Sequence, residues 1–525
     1  MKMHCYAGSF LIVILLISGS AQAQVTAVRS GNWSDPATWS TGAVPTENDD
    51  VVIADSTVLI DLPDAKARNV TVRGSGRLRY QRDPSLNGFG LTVYGDLVIE
   101  GPNAEFRPLT QVDPATGQGL GIVYHRLFVH GNIDNSTGGT FDLRRGSTSA
   151  DPPTASFVDL HFVGSGDSHI TLGPYDKNKN QLFQVFIQKE GGARVVLGSD
   201  VTQDNNSRAK LHLENGYIVT NEYRWRVFTN SASGIVGGSP ASYVIGALSR
   251  GIPKSGEAYE RVFPVGDENG YRPVTIYSSD VVPDDQDFEV RVISADADPG
   301  GATLEGGLTD VSPVRYYAFT MYERDSADPY TVDRIAISYG EDDQVPEGSS
   351  AFVVATSVDE NRMVWRNSGG IDPVTGQPHV TSLAAPPTLI QSDVLTDFTF
   401  EITVVPGEPP QFARDTYYAA MGTTDTFVTA TEQLEAVSSF RVGAAYPNPF
   451  QRATRMALEL LQAAQVQVRV YDLLGREVAR LAEGMWLPGT HMLEWKPEGT
   501  VAPGMYLIRV EVGAFSTTRK VVVIR

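Results

Sequence analysis

The chain has 525 residues, with 42 Lys and Arg against 62 Asp and Glu, a formal charge of −20. Such a surface repels nucleic acid and anionic membranes, and no Lys/Arg cluster overrides it. The 50 glycines and 31 prolines suit many short strands joined by turns, and aliphatic and aromatic content is ample for packed cores. The length implies several domains.

The chain opens with a short positive region at Lys2 and an apolar run over 10–17. Ala21-Gln22-Ala23 then gives a small-x-small signal before Gln24. This pattern predicts a Sec signal peptide over 1–23, too short to stay as a spanning helix. Cys5 is the only cysteine and lies ahead of the apolar run. The mature chain is therefore expected to hold no disulfide, thiolate metal site or lipoprotein anchor.

Residues 24–255 read as a parallel coil. Short apolar segments recur, each closed by Gly or Asn: Leu91–Gly95, Leu127–Gly131, Leu160–Gly164, Phe183–Ile187 and Leu211–Gly216. Their starts lie roughly 23–36 residues apart, and each unit is too small to bury its apolar face unless it stacks on its neighbours. Loops of unequal length leave such a coil and are where function would sit. An antiparallel sandwich is the competing arrangement. Ser30-Gly31-Asn32-Trp33-Ser34-Asp35-Pro36-Ala37-Thr38-Trp39 and Val44–Ile53 resemble the start of the extracellular eight-glycine domain and of other secreted Bacteroidota proteins. That resemblance fades near Tyr80. Val195–Val201 and Gly216–Thr220 resemble the Gly-closed rungs of large Bacteroidota surface proteins. These resemblances imply a right-handed parallel β-helix-like region. Trp33 and Trp39 are read as covering its open end, with stacking on sugar rings as the alternative.

Tyr243–Leu248, Phe263-Pro264-Val265-Gly266-Asp267 and Tyr271-Arg272-Pro273-Val274 resemble a block that follows β-helical regions in secreted Bacteroidota proteins, and mark a junction. Arg272 is expected to be a structural arginine under Tyr271. Residues 256–422 read as a β-sandwich, from the alternations at Phe288/Val290/Val292, Tyr317/Phe319/Met321, Ile335/Ile337/Tyr339 and Phe398/Phe400/Ile402/Val404. Residues 423–444, rich in Thr, Ala and Glu, read as a linker. No 18-residue apolar run follows the signal, so no membrane-spanning helix is expected.

In residues 445–525, Val466, Val468 and Val470 alternate with polar residues, as do Tyr506, Ile508, Val510 and Val512. Turns fall at Asp472–Arg476 and Pro503-Gly504, and Pro447 and Pro449 keep the start extended. Together they predict a small antiparallel immunoglobulin-like sandwich. Tyr446-Pro447-Asn448-Pro449-Phe450, Tyr471-Asp472-Leu473-Leu474-Gly475-Arg476, Gly489, Gly504, Tyr506 and the basic-then-apolar close at Lys520 occur in order. This set resembles the C-terminal sorting domain of proteins exported by the type IX secretion system of Bacteroidota. The resemblance implies recognition by the outer-membrane translocon, and removal of the domain by its peptidase within the linker. The new end would be joined to surface lipopolysaccharide, or the protein released.

Residue sets that could carry chemistry are sparse. Asp176-Lys177-Asn178-Lys179-Asn180 opens like a calcium loop, but Gln181 stands where Gly is needed and Ile187 where Glu is needed. Asp284, Asp285 and Asp287, and Asp296 with Asp298, read as solvated acidic turns rather than calcium loops. His125 and His130 fall on opposite faces of a strand. His161 and His169 flank a turn without a third ligand, so zinc is not expected. A lyase would need basic groups on adjacent rungs; Arg144 and Arg145 beside Asp142, or Lys189 beside Glu190, are the candidates. Gly164-Ser165-Gly166 lacks the serine-hydrolase frame. Asn69 and Asn205 stand in chance glycosylation sequons. No catalytic, cofactor or metal residue is assigned. The expectation is an exported all-β, non-enzymatic protein, adhesive or structural, at the outer-membrane surface or released after passing the periplasm. Surface glycans are among its expected partners. The alternative is a polysaccharide-active enzyme or carbohydrate-binding protein using loops of the coil.

Overall fold

The structure is a computed structural model. It describes residues 24–524 except 175, 177–178, 254–255, 257, 282–286, 299, 323–328, 340–342, 344–351, 371–387, 401, 406–410, 425–439, 443–449, 461–462, 473–475, 498–500 and 513–514. The described residues are strands, turns and two short 3-10 turns. They fall into two compact units, the larger within 24–424 and the smaller chiefly within 425–525.

The first part of the larger unit is built from three parallel ladders. The first runs through Gln24–Thr26, Asp50–Ala54, Asn69–Arg73, Leu97–Glu100, Ile133–Asn135, Ser168–Leu172, Arg194–Leu197, Tyr217–Val227, Val244–Gly251 and Val265–Asp267. The second holds Gly31–Asn32, Thr57–Ile60, Arg77–Tyr80, Glu105–Pro108 and Thr140–Phe141. The third holds Ala65–Ala67, Gly90–Val93, Val123–Val129, Ser156–Gly164, Val185–Lys189, Leu211–Asn215 and Ile235–Gly237. From Asp50 to Thr140 the chain visits first, second and third ladder in that cyclic order. Each strand therefore pairs with the strand one circuit ahead.

Register explains the sequence pattern. Leu91, Leu127, Leu160, Val185 and Leu211 are successive partners in the third ladder, and all five are fully buried. Four of these are the starts of the expected apolar segments. The fourth segment, expected from Phe183, is displaced: its register residue is Val185. Phe183 lies just ahead of the strand and stacks on Phe157 at 4.0 Å. A shift of two residues keeps the same side chains inward, so the alternation could not reveal it. On the other face of this ladder Phe128, His161, Phe186 and His212 are also in register. Their rings stack at 4.5, 4.3 and 4.0 Å.

Near the start of the coil Trp33 and Trp39 are buried against each other, 5.0 Å apart and edge-on, and the Trp39 indole N–H donates to the Trp33 carbonyl. Neither ring face is free for a sugar. Asp35 caps the intervening turn at Pro36–Thr38.

One strand joins the two halves of this unit. Val244–Gly251 pairs in parallel with Tyr217–Val227 and antiparallel with Asp287–Ile293. From there an antiparallel sheet continues through Tyr316–Tyr322, Thr416–Thr423 and Phe352–Ser357. A second antiparallel sheet contains Tyr259–Phe263, Val274–Ser278, Arg334–Tyr339 and Thr388–Gln391. Aromatic side chains fill the space between: Phe288 meets Phe263, Phe319, Tyr330 and Phe400 in edge-on or tilted contacts. Buried Arg226 and half-buried Arg224 pair with Asp287 beside the shared strand. Asp287 is fully buried rather than part of a solvated turn, and Asp284 and Asp285 lie outside the described residues. Arg272 is buried, and its guanidinium donates to the Tyr271 carbonyl at 2.9 Å.

Candidate functional site

The smaller unit has two antiparallel sheets. Thr454–Leu460 pairs with Phe440–Val442 and with Gly489–Trp495. Ala464–Asp472 lies between Glu477–Trp486 and Gly504–Val512, and Phe515–Val523 follows at the edge. Val466, Val468 and Val470 face a core shared with Ile508, Val510, Val512 and Val521. The period-2 alternation of the sequence is thus the alternation of buried and open faces.

The motif residues hold the ends of this unit together. Phe450 is buried; its N–H donates to the Val522 carbonyl at 2.9 Å, and the Ile524 N–H donates back to its carbonyl at 2.8 Å. Its ring meets Trp495 at 5.5 Å, and Trp495 meets Tyr506 at 5.3 Å. The Tyr506 hydroxyl donates to the Ala502 carbonyl at 2.7 Å. One aromatic chain therefore links Phe450 to the strands Gly489–Trp495 and Gly504–Val512, while its backbone bonds the last strand.

The turn after Asp472 is closed by charge. The Arg476 backbone N–H donates to Asp472 Oδ1 at 3.0 Å, and its guanidinium reaches Oδ2 at 2.7 Å. Tyr471 stands in register with Leu507, and Asp472 with Tyr506. Gly489 and Gly504 each begin a strand at φ +137° and +155°, a region that L side chains rarely adopt.

Residues 444–524 match the secretion system C-terminal sorting domain family. No curated protein and no solved structure matches the chain. The sorting domain indicates an exported protein, attached to the cell surface or released, that engages the type IX secretion machinery. Within it, Phe450, Tyr471, Asp472, Gly489, Gly504 and Tyr506 have the positions given above. Tyr446, Pro447, Asn448, Pro449 and Gly475 lie outside the described residues, as do Ala21 and Ala23. Lys520 pairs with Leu507 through its backbone, and Gln24 lies in the first strand of the larger unit. Sequence reasoning passed over Trp495, although the alternation of Leu493 and Trp495 signals a buried face. It also passed over Met485, Leu487 and Met492, which are 69%, 72% and 66% exposed.

In the coil, the basic and acidic candidates form a network. Arg144 pairs with Asp204 at 2.7 Å, and Arg145 lies 3.9 Å from Asp142. On the neighbouring rung Glu105 holds Arg107 of its own strand and Arg79 of the strand one circuit earlier. Burial pushes the Asp142 carboxyl up to about 7, opposed by the Arg144 N–H, Arg145 and Arg107. Lys189 is buried and donates to the His130 and Val163 carbonyls and the Ser168 hydroxyl, so its charge serves the coil itself. His161 bonds Gln188 in the third ladder, while His169 bonds Asn132 beside the first, and the two are not brought together. Asp296 and Asp298 accept backbone N–H groups of their own turn. Among the described residues no three His, Cys, Asp or Glu side chains converge on one point. No described helix is long and apolar enough to cross a membrane.

Proposed function

We propose that this is a non-enzymatic surface or secreted protein, adhesive or structural in role, delivered by Sec and then by type IX secretion. The observation that carries the proposal is the sorting-domain match at 444–524, set behind a body of stacked parallel rungs. Residues 1–23 form the Sec signal, cut after Ala23. Residues 24–255 form a right-handed parallel β-helix, an architecture supported by the three ladders and their cyclic order. Residues 256–422 form a β-sandwich and 445–525 an immunoglobulin-like one. The translocon recognises the sorting domain, and its peptidase cuts within 423–444. We assign the exposed Met485, Leu487 and Met492, which lie at and beside the turn between Glu477–Trp486 and Gly489–Trp495, to the translocon contact. Lipopolysaccharide receives the new end when the product stays on the surface.

Two experiments test this reading. Terminal mapping by mass spectrometry is expected to find a start at Gln24 and an end within 423–444. An exported protein that still carries Arg525 would refute cleavage. A chain lacking 446–525 is expected to accumulate in the periplasm, and its normal arrival at the surface would overturn the assignment.

A second reading, a polysaccharide-active enzyme on the coil, is favoured by one observation. Asp142, raised to about 7, lies among Arg107, Arg144 and Arg145 from adjacent rungs. Reducing-end release from a polysaccharide, lost in Asp142→Asn, would establish it.

A further inference from the structure

The antiparallel sheet of Tyr259–Phe263, Val274–Ser278 and Arg334–Tyr339 carries a hollow of about 500 Å³. Three of its lining residues are directly cross-strand neighbours: Glu260 opposite Tyr277, and Tyr277 opposite Arg334. Residues in direct register lie on one face of a sheet, about 4.8 Å apart per strand. A carboxylate, a phenol ring and a guanidinium therefore stand in a row roughly 10 Å long. The buried partners Arg261, Ile276 and Ile335 alternate to the opposite face.

The row is open. Glu260 and Arg334 are exposed and Tyr277 is half-buried. Val394, 58% exposed, also lines the hollow, with Ala258, Tyr259, Ser278 and Asp333. Asp333 is fixed by accepting the Ser279 N–H at 2.7 Å, and Tyr259 by its hydroxyl contact with Tyr330. Burial and then Glu260 raise the Tyr277 phenol, with Arg334 opposing, so it stays a neutral hydroxyl. A second hollow of about 280 Å³ shares Glu260 and continues past Val262, Ile235 and Pro264. The two make a track along the edge strand Tyr259–Phe263.

We propose that this track binds a neutral glycan chain, with a pyranose ring stacked on Tyr277 and its hydroxyls held by Glu260 on one side and Arg334 on the other. An aromatic face takes the apolar C–H side of a sugar ring. A carboxylate accepts from hydroxyls, and a guanidinium donates to them through a fixed fork. The track suits a polymer, since the two hollows meet at Glu260. A chain of charge −20 disfavours polyanionic ligands, which selects a neutral glycan. The inference rests on the adhesive reading for where the protein meets its ligand. It places the ligand on the sheet face, not on loops of the coil.

Affinity electrophoresis of the full chain in gels containing soluble β-glucan, mannan, xylan or polygalacturonate tests this. At least one neutral glycan is expected to retard the protein. Tyr277→Ala should weaken that retention at least about tenfold, and Tyr277→Phe should keep most of it. Glu260→Gln and Arg334→Gln are on exposed side chains, so they carry the test if Tyr277→Ala fails to fold. Each should weaken binding several-fold. Absence of retardation by all three neutral glycans overturns the proposal, as does retardation by polygalacturonate alone, or retention unchanged in all the variants. Binding is read on purified protein, so a mislocalised chain that still binds sinks only the export reading. An exported chain that binds none of the three sinks only this one.

Discussion

Acidification should destabilise the larger unit through His125, and the size of the effect follows from its surroundings. The His125 ring is fully buried, stacked between Tyr80 at 4.7 Å and Phe89 at 5.7 Å. Its Nδ1 accepts the Phe89 N–H at 3.0 Å, which leaves Nε2 as the protonated nitrogen, donating to Ser156 Oγ at 3.1 Å. A second proton would have to sit on Nδ1, pointing at an N–H. Burial lowers the group from 6.5 to about 3, with Asp83 opposing and Arg126 assisting. The folded state thus binds fewer protons than the unfolded chain between those values. The contribution to stability is complete above pH 6.5 and is lost as pH falls toward 3. At about pH 4.5 the loss is roughly 2.7 kcal/mol. His125→Phe removes this dependence. At neutral pH it also strands the Phe89 N–H and the Ser156 hydroxyl, at about 1–3 kcal/mol. Calorimetric unfolding of wild type and variant from pH 7.5 to 4 should give curves that meet between about pH 4.3 and 5.8. The other buried histidines act equally in both proteins and cancel. Parallel curves would refute the tautomer and burial argument.

Asp142→Asn should show the opposite slope. The wild-type carboxyl is raised to about 7 by burial, so the stability it supplies is full below its unfolded value of 3.8 and lost as pH rises. At pH 8 the variant should be more stable by up to roughly 4 kcal/mol in the same scans. Trp495→Ala, at the centre of the sorting domain's aromatic chain, should cost about 3–5 kcal/mol in the smaller unit. The midpoint of the larger unit should not move. Gly489→Ala meets no atom within 4 Å, so only its φ of +137° opposes it; a loss of about 1–3 kcal/mol in the smaller unit is expected. Replacing Met485, Leu487 and Met492 together by Ser should change stability by less than about 1 kcal/mol. Surface delivery, measured by protease shaving, should fall all the same.

The sequence was most legible where one face of a strand repeats a single chemistry. Val466, Val468 and Val470 alternate because the sheet has one wet and one dry side. The segments at Leu91, Leu127, Leu160 and Leu211 were visible because each supplies a leucine to one buried column. The second ladder was harder to read for a physical reason. Gly31–Asn32 and Thr140–Phe141 are two residues long, too short for a period-2 pattern to exist. Their identity as strands comes from the parallel neighbour one circuit away, at a distance set by loops of unequal length. The Asp472–Arg476 turn was readable because its ion pair is local.

The glycan track was not readable for the converse reason. Glu260, Tyr277 and Arg334 come from three strands, and each alone is an ordinary surface residue. Register alone brings them into a row, and register is a property of pairing rather than of any one segment. The Asp142 network forms the same way: Arg107 and Asp142 belong to successive rungs and share a surroundings only because the coil stacks them. In a body of this kind, loops are not the only carriers of function. Each sheet face is a lattice that places side chains from distant segments at about 4.8 Å steps. The row of Glu260, Tyr277 and Arg334 is presented by paired strands and needs no loop to hold it. Loss of glycan retention in Tyr277→Ala with no reducing-end release by the wild type marks an adhesive face, whereas release that Asp142→Asn abolishes marks a catalytic one.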